Sequence, residues 1–184
     1  MNSTATSKLH LEDLANKAKA ITPDAVGFYK ENCMVCFHSQ GHSSGIHLFV
    51  EYKDDRRKFE ILWSGSVTEQ MLRAYVDNNK TTDFGACVIA LLLLPELTEF
   101  SAYEQSSVGT TIDYYLVAKE VYDDTLIFNY SARLEVSGIR AESPTNTVDS
   151  RIKQKIGRLM SDGEMPTLIS VIEFSKPWSK MVDA

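Results

Sequence analysis

The sequence predicts an α/β fold, bordering on α+β, in which a mixed central sheet is flanked by helices. Three features predict it. The segment Thr167–Phe174, TLISVIEF, is rich in β-branched residues, as buried strands are. The segment Asp83–Leu94 is apolar almost all round, as buried helices are. From Asp83 onward the predicted order is helix, strands, helix, strand, which builds a small mixed sheet covered by helices.

The chain has 184 residues, enough for one hydrophobic core, so we expect a single domain over residues 1–184. Residues 1–80 are expected to form an N-terminal extension with a helix and a hairpin, and residues 81–176 the core. No apolar run reaches the ~18 residues that span a bilayer, and the first residues lack a signal-peptide pattern. Three cysteines without a leader indicate a reducing compartment. We therefore expect a cytoplasmic protein without a membrane partner.

The first 38 residues predict a tail, a helix and one ambiguous segment. Residues 1–7 are expected to fray. Apolar residues recur at helical spacing from Leu9 to Ile21, and Pro23 follows as a stop signal. The segment Ala25–Phe37 is ambiguous, because apolar residues alternate near its end as they do in a strand.

The next elements are a hairpin and a short helix. Ile46–Lys53 and Lys58–Trp63 alternate in polarity around a charged turn, which predicts two antiparallel strands. Thr68–Asn78 has helical spacing of its apolar residues.

The core is predicted to begin at Thr81-Thr82-Asp83, where a hydroxyl cap and an acid in the first turn indicate a helix start. Pro95 lies near the predicted end of this helix. Glu99–Ser106 is expected to form a short strand.

The segment Gly109–Ile139 predicts two strands joined by an acidic turn at Asp123-Asp124. One acid lies inside each strand, Asp113 in the first and Glu135 in the second. Strand interiors are depleted in carboxylates, because a half-buried carboxylate is costly unless it is paired or binds a metal. With antiparallel pairing, the two carboxylates converge on one face, an arrangement that suits a divalent cation. The alternative is that both acids belong to the solvated face of an ordinary sheet.

A second amphipathic helix follows Pro144. Its apolar stripe consists of Val148, Ile152, Ile156 and Leu159. Its basic face consists of Arg151, Lys155 and Arg158, with Lys153 beside them. The strand Thr167–Phe174 comes next, and an irregular tail is expected from Ser175.

Several site classes are excluded or disfavoured. The sequence contains no Walker A loop, no dinucleotide-binding fingerprint and no G-x-S-x-G nucleophile motif. A net charge of −6 disfavours indiscriminate binding of nucleic acid. A zinc site is disfavoured because the spacing matches no zinc finger, and buried cysteines beside a polar turn are the simpler interpretation. The residues concerned are Cys33, Cys36, His38, His42 and His47.

The order of acids and elements resembles the core of the PD-(D/E)XK, or restriction-endonuclease-like, superfamily. The resemblance covers roughly residues 81–174. It consists of an acid on a helix, G-x-x-I-D-Y on one strand, L-E-V-S on the next, then a helix and a strand. It implies that Asp113 and Glu135 hold Mg²⁺ and that Asp83 helps orient the metal-bound waters. A metal in this position lowers the pKa of bound water and neutralises charge that develops on a phosphate.

One departure from the family pattern concerns catalysis. The family's lysine, two residues after the second strand acid, is replaced by Ser137. Lys155 or Lys153 of the following helix, or Arg133 on the same strand face, could supply the missing positive charge. The resemblance also implies that Arg151, Lys155 and Arg158 contact the phosphate backbone of nucleic acid. The alternative is that these residues form the solvent-exposed side of an ordinary amphipathic helix.

Three functions therefore stay open at the level of sequence. The first is a metal-dependent nuclease, or a nuclease-like protein acting on nucleic acid, in a restriction or anti-phage system. The second is a catalytically inactive nuclease-fold subunit that binds a protein partner or forms a homo-oligomer, with Ser137 and the acidic balance in its favour. The third is an unrelated α+β interaction protein whose acids are ordinary surface groups.

Overall fold

The structure, a computed structural model, describes residues 6–107, 109–119, 130–159 and 165–184. Within these ranges eight strands form one mixed sheet with helices on both faces, which confirms the predicted fold class. The strands are β1 (Ser7–His10), β2 (Ile46–Tyr52), β3 (Asp55–Leu62), β4 (Phe100–Gln105), β5 (Tyr114–Ala118), β6 (Ala132–Ile139), β7 (Thr167–Glu173) and β8 (Trp178–Asp183). The helices are α1 (Leu14–Lys17), α2 (Val26–His38), α3 (Glu69–Ala74), α4 (Asn78–Leu97) and α5 (Val148–Leu159).

The strand order across the sheet is β1-β3-β2-β8-β7-β6-β5-β4. The pairs β1/β3, β2/β8 and β6/β7 are parallel, and the other neighbours are antiparallel. The parallel neighbours β6 and β7 are connected through α5, because a parallel pair needs a crossover. The segment from α4 to β7 therefore has the order helix, three antiparallel strands, helix, parallel strand.

The two faces of the sheet carry different helices. In β7, Leu168 and Ile172 point into the larger core with α2 and α4, whereas Ile169 and Val171 pack against α5. This division follows from the alternation of side chains along a strand. The strand is buried on both faces, which explains its continuous apolar sequence.

Two glycines allow α4 to approach its neighbours closely. A Cβ atom on Gly85 would lie 2.9 Å from Cys36 Sγ of α2. A Cβ atom on Gly138, in β6, would lie 2.6 Å from the carbonyl oxygen and Cγ2 of Thr82. The first turns of α4 are thereby held directly against β6.

The structure corrects the predictions for the first 38 residues. Ser7–His10 is not part of a frayed tail or a helix but strand β1, which pairs with β3. The helical segment is shorter than predicted, a 3₁₀ turn at Leu11–Asp13 followed by α1. The ambiguous segment is helix α2, buried over most of its surface. A helix buried all round lacks a one-sided apolar stripe, so a local alternation imitates a strand.

The predicted start of the core helix was wrong by about one turn. Helix α4 begins at Asn78, where Asp77 Oδ1 accepts hydrogen bonds from the N–H groups of Asn79 and Lys80, at 3.1 and 3.2 Å. Pro95 lies inside the helix rather than beyond it. Because proline has no N–H, it cannot donate to the carbonyl four residues earlier, and the helix ends two residues later.

The C-terminal segment is also regular. The predicted irregular tail leads into strand β8, which pairs with β7 on one side and with β2 on the other. It thereby joins the predicted N-terminal extension to the predicted core in one sheet. The acidic turn Asp123-Asp124 lies outside the described residues. None of the helices in the described ranges has the combination of length and hydrophobicity that crossing a membrane requires.

Candidate active site

The two acids lie near each other where β5 begins. Tyr114 is the first residue of β5 and lies opposite Leu134 of β6. One residue earlier, the Asp113 N–H donates to the Leu134 carbonyl at 2.9 Å. The Asp113 Oδ2 atom then accepts from the N–H of Val136 at 2.7 Å, in place of a backbone carbonyl. The side chain of Asp113 thus pairs with the backbone of β6, and this hydrogen bond fixes its position.

The carboxyl group of Glu135 faces that of Asp113. Asp113 immediately precedes β5 rather than lying inside a strand as expected, and Glu135 follows Leu134, the partner of Tyr114 in β6. Each of the two carboxyl groups affects the pKa of the other. Glu135 is buried and Asp113 half-buried. The two carboxyl groups are therefore neighbours, and Glu135 lies on the face of the sheet covered by α5, where Lys155 reaches it.

Lys155 provides a positive group at this pair. Its Nζ atom, on α5, donates to Glu135 Oε1 in a buried ion pair. Lys155 was one of the residues expected to replace the family's lysine, and it is the one that contacts a strand acid. Lys153 points to solvent instead.

The two strand acids have perturbed pKa values. Burial raises the pKa of Glu135 to about 7; Asp113 adds to the increase, and Lys155 opposes it. Burial also raises the pKa of Asp113, against the effects of the Val136 N–H and of Lys155. Two neighbouring carboxyl groups do not ionise independently. The pair therefore keeps one proton at pH values well above the ordinary pKa of a carboxyl group.

The helix acid lies at the rim of the same site. Asp83 is exposed on the first turns of α4, and loss of solvation raises the pKa of its carboxyl group. Lys155 and Arg151 oppose this increase, and Asp113 adds to it, which places Asp83 within electrostatic range of all three. The contact between Gly138 and Thr82 fixes this position, because Thr82 immediately precedes Asp83.

The position of the family's lysine is linked to α5 by an arginine. Arg151 Nη1 donates to Ser137 Oγ at 3.1 Å, and Nη2 donates to Asn146 Oδ1 at 2.7 Å. Arg151 and Lys155 are one helical turn apart and both reach β6. They are therefore turned towards the site, whereas Arg158, on the last turn, is exposed.

The start of α5 is held by two acceptors that orient this helix. Thr147 Oγ1 accepts from the N–H of Ser150 at 3.1 Å, and Glu142 Oε1 accepts from the N–H of Val148 at 2.7 Å. These bonds satisfy N–H groups that the helix leaves unpaired. They fix the register in which Arg151 and Lys155 face the strand.

Arg133, the remaining basic candidate, lies on the same face of β6. Its side chain donates to Thr167 Oγ1 at 3.1 Å and to the Met165 carbonyl at 3.2 Å. Its guanidinium is therefore positioned towards β7.

The ability of the carboxylates to hold a metal ion depends on the number and kind of ligands they provide. In the part of the chain that the structure describes, no group of three or more His, Cys, Asp or Glu side chains is arranged to hold a metal ion. Asp83 is thus not a third ligand. Mg²⁺, however, is commonly held by one or two carboxylates, with waters and substrate phosphates completing its shell. The hard oxygen donors of Asp113 and Glu135 fit that requirement.

The cysteines and histidines of the disfavoured zinc motif have other surroundings. Cys33 and Cys36 are buried in α2, and Cys36 Sγ donates to the Thr81 carbonyl at 3.3 Å. His42 is within 2.9 Å of the Ser175 carbonyl through Nε2. His38 and His47 are exposed.

An open cleft of about 980 Å³ lies elsewhere on the molecule, over β2, β3 and β8. The exposed ring of Phe49 lines it, as does Lys180, which is paired with Glu51 and Asp149. Asp83, Asp113 and Glu135 are not among the residues that line this cleft. We place the candidate site at the carboxylates, because buried groups with perturbed pKa values converge there.

Sequence reasoning missed two features of the site. One is the contact of Arg151 with Ser137 and Asn146, which depends on how α5 is docked. The other is a stacked pair of tyrosines, Tyr115 on β5 and Tyr130 just before β6. The alternation of β5 places Tyr115 on the face of Asp113, but no local pattern indicates that Tyr130 folds over it.

The chain was compared with protein-family profiles, with curated proteins and with solved structures. None of the three comparisons found a match.

Proposed function

We propose that this protein is a metal-dependent phosphodiesterase that acts on nucleic acid, with Asp113 and Glu135 as the metal ligands. The observation that carries the proposal is the ion pair between Lys155 and Glu135, opposite Asp113. It supplies the positive charge that Ser137 does not. A role in restriction or anti-phage defence, and a cytoplasmic location, stay predictions of the sequence.

The element order supports the proposal. Helix α4, the antiparallel strands β4, β5 and β6, helix α5 and the parallel strand β7 follow one another as the family resemblance implies. Asp83 lies on the helix, Asp113 immediately before β5 and Glu135 within β6, in the order that the resemblance implies. Fold order alone does not establish chemistry, so the argument depends on the side chains.

The reaction would replace an ester bond of a phosphodiester with a bond from phosphorus to the oxygen of water. The products are a phosphomonoester and an alcohol, and the leaving oxygen takes up a proton. A bound Mg²⁺ would supply charge neutralisation at the phosphate and a more acidic water. Lys155 holds Glu135 in place and can position water beside it, while Arg151 presents a second cation from the same helix.

Cleavage of labelled DNA and RNA, with and without Mg²⁺ or Mn²⁺, tests this proposal. Wild-type protein should cleave only with the metal, and Asp113→Asn should reduce the rate by about a hundredfold or more. Asp54→Asn, an exposed acid in the turn between β2 and β3, is the matched control and should retain full activity. Activity that is equal in Asp113→Asn and wild type would overturn the assignment.

A second function is favoured by one specific observation. The cations nearest the carboxylates are already engaged, Lys155 by Glu135 and Arg151 by Ser137 and Asn146. A site whose charges are paired internally suits an inactive nuclease-fold subunit that binds a protein partner or a second copy. This function predicts no metal-dependent cleavage and a stable complex, which sedimentation of the protein alone and with captured partners would detect.

A further inference from the structure

Two tyrosine rings are stacked beside the strand acids. The ring centroids of Tyr115, on β5, and Tyr130, just before β6, are 4.5 Å apart and the ring planes differ by 20°. The hydroxyl of Tyr130 donates to Glu104 of β4. Both residues are partly accessible to solvent. Each ring covers one face of the other, so a further ring can stack only on an outer face of the pair, which Tyr130 anchors to β4.

The position of the pair relative to the acids is set by the strand register. Tyr115 is two residues after Asp113 and lies on the same face, so their side chains are about 7 Å apart along β5. Tyr115 also lies opposite Arg133, which is two residues before Glu135 on β6. Tyr115 is therefore displaced by two residues along β5 from Asp113, and Arg133 lies opposite it on β6.

Charged groups of both signs lie near the pair. Arg133 is opposite Tyr115 with its guanidinium directed towards β7, Arg151 and Lys155 face β6 from α5, and Glu104 accepts from Tyr130. Aromatic rings interleaved with basic groups are how proteins bind single strands, because each base offers a face for stacking and each phosphate a charge. In a duplex the bases are stacked on one another, and their faces are hidden.

We propose that Tyr115 and Tyr130 form a stacking platform that selects single-stranded nucleic acid as the ligand of this site. That this ligand is also cleaved rests on the proposed function. A base stacked on the platform would place the neighbouring phosphate over Asp113 and Glu135. The platform would bind a single strand more tightly than the same sequence in a duplex.

Fluorescence anisotropy with a labelled DNA strand, alone and annealed to its complement, tests the proposal. The Asp113→Asn background prevents cleavage during titration. Tyr130→Leu should weaken binding of the single strand about tenfold or more, since stacking on one aromatic ring contributes that much. Tyr130→Phe keeps the ring and should bind as the parent does. Tyr52→Leu is the matched control and should also bind normally. It removes a partly exposed tyrosine of β2 whose hydroxyl is bonded to Asp183.

A second measurement is independent of protein stability. Irradiation of unsubstituted protein with a strand that contains 5-bromouracil should crosslink the peptide carrying Tyr115 or Tyr130. Crosslinks confined to other peptides, or equal affinity for single strand and duplex, would overturn the proposal. Asp113-dependent cleavage of duplex alone would overturn it and leave the proposed phosphodiesterase intact. Tyrosine-dependent binding of single strands without cleavage would support it and count against the phosphodiesterase.

Discussion

The ammonium group of Lys155, on α5, forms an ion pair with the carboxylate of Glu135, on β6. This contact brings a cation from a helix to a position where the strand itself supplies only a serine. The geometry depends on the docking of α5 over β7 and β8, which fixes how far along β6 the helix reaches.

Replacing Lys155 by methionine should lower the rate of metal-dependent cleavage by about a hundredfold to a thousandfold, the effect of removing one positioned electrostatic group. Binding of Mg²⁺ should not weaken, because a cation that competes for Glu135 has been removed. Rates from single-turnover cleavage and metal affinity from calorimetry separate the two effects. Lys153→Met, on the exposed side of the same helix, is the matched control and should leave both quantities unchanged. A loss of metal affinity in Lys155→Met, with the rate preserved at saturating metal, would contradict this role.

The stability of the metal-free protein should fall as the pH rises from about 5 to about 8. Glu135 has a pKa of about 7 in the folded protein, above its ordinary value of 4.5. The folded state therefore binds the extra proton more tightly than the unfolded state. The resulting stabilisation is complete below the ordinary value and is lost as the pH rises through about 7, by no more than about 3 kcal/mol.

Urea unfolding at several pH values measures this loss of stability. Glu135→Gln, which cannot ionise, should flatten the dependence over this interval. Added Mg²⁺ should restore stability to wild-type protein at the upper end, because binding to the folded state alone stabilises it. Stability that rises between these pH values, and does so equally in both proteins, would show that Glu135 is not the group responsible.

Gly138→Ala should destabilise the protein by about 1–3 kcal/mol, the usual cost of overpacking. Its new Cβ atom would lie 2.6 Å from the Thr82 backbone, which cannot rotate away. The same change should reduce activity, because it pushes the turn carrying Asp83 from β6. Gly157→Ala in α5 is the control: a Cβ atom there meets nothing within 4 Å, and alanine favours helix by about 0.5–1 kcal/mol. Chemical denaturation of the two variants should therefore give shifts of opposite sign; two shifts of the same sign would contradict the packing argument.

The fold class could be predicted because it depends on local patterns. The alternation in β2 and β3, the apolar stripe of α5 and the β-branched run of β7 are each visible within one segment of sequence. The prediction that Asp113 and Glu135 are neighbours needs only period-two alternation and an antiparallel pairing. These are the parts of the structure in which local sequence and tertiary packing agree.

Features set by distant contacts could not be predicted. Strand β8 lacks a regular alternation of polar and apolar residues, and its pairing with β2 joins residues far apart in the chain. Strand β1 has only four residues and is ordered by β3. Helix α2 is enclosed on most sides, so its sequence lacks the one-sided stripe that identifies a surface helix.

The candidate site likewise has features that the sequence predicts and features that depend on tertiary contacts. The sequence indicates which residues carry the charges, but the choice of Lys155 over Lys153 depends on the rotation of α5 about its axis. The Asp113 contact with the Val136 N–H arises because β5 begins only at Tyr114, which no local pattern encodes. The start of one strand thus creates the place where a carboxylate is held.

The most direct test of the central claim is the anomalous scattering of Mn²⁺ in crystals of the protein grown at about pH 8, where the carboxylates are ionised. The account predicts one peak within bonding distance of an oxygen of Asp113 and an oxygen of Glu135, and its loss in Asp113→Asn. A map with no peak at these carboxylates at saturating Mn²⁺, with Lys155 still paired to Glu135, would contradict the account.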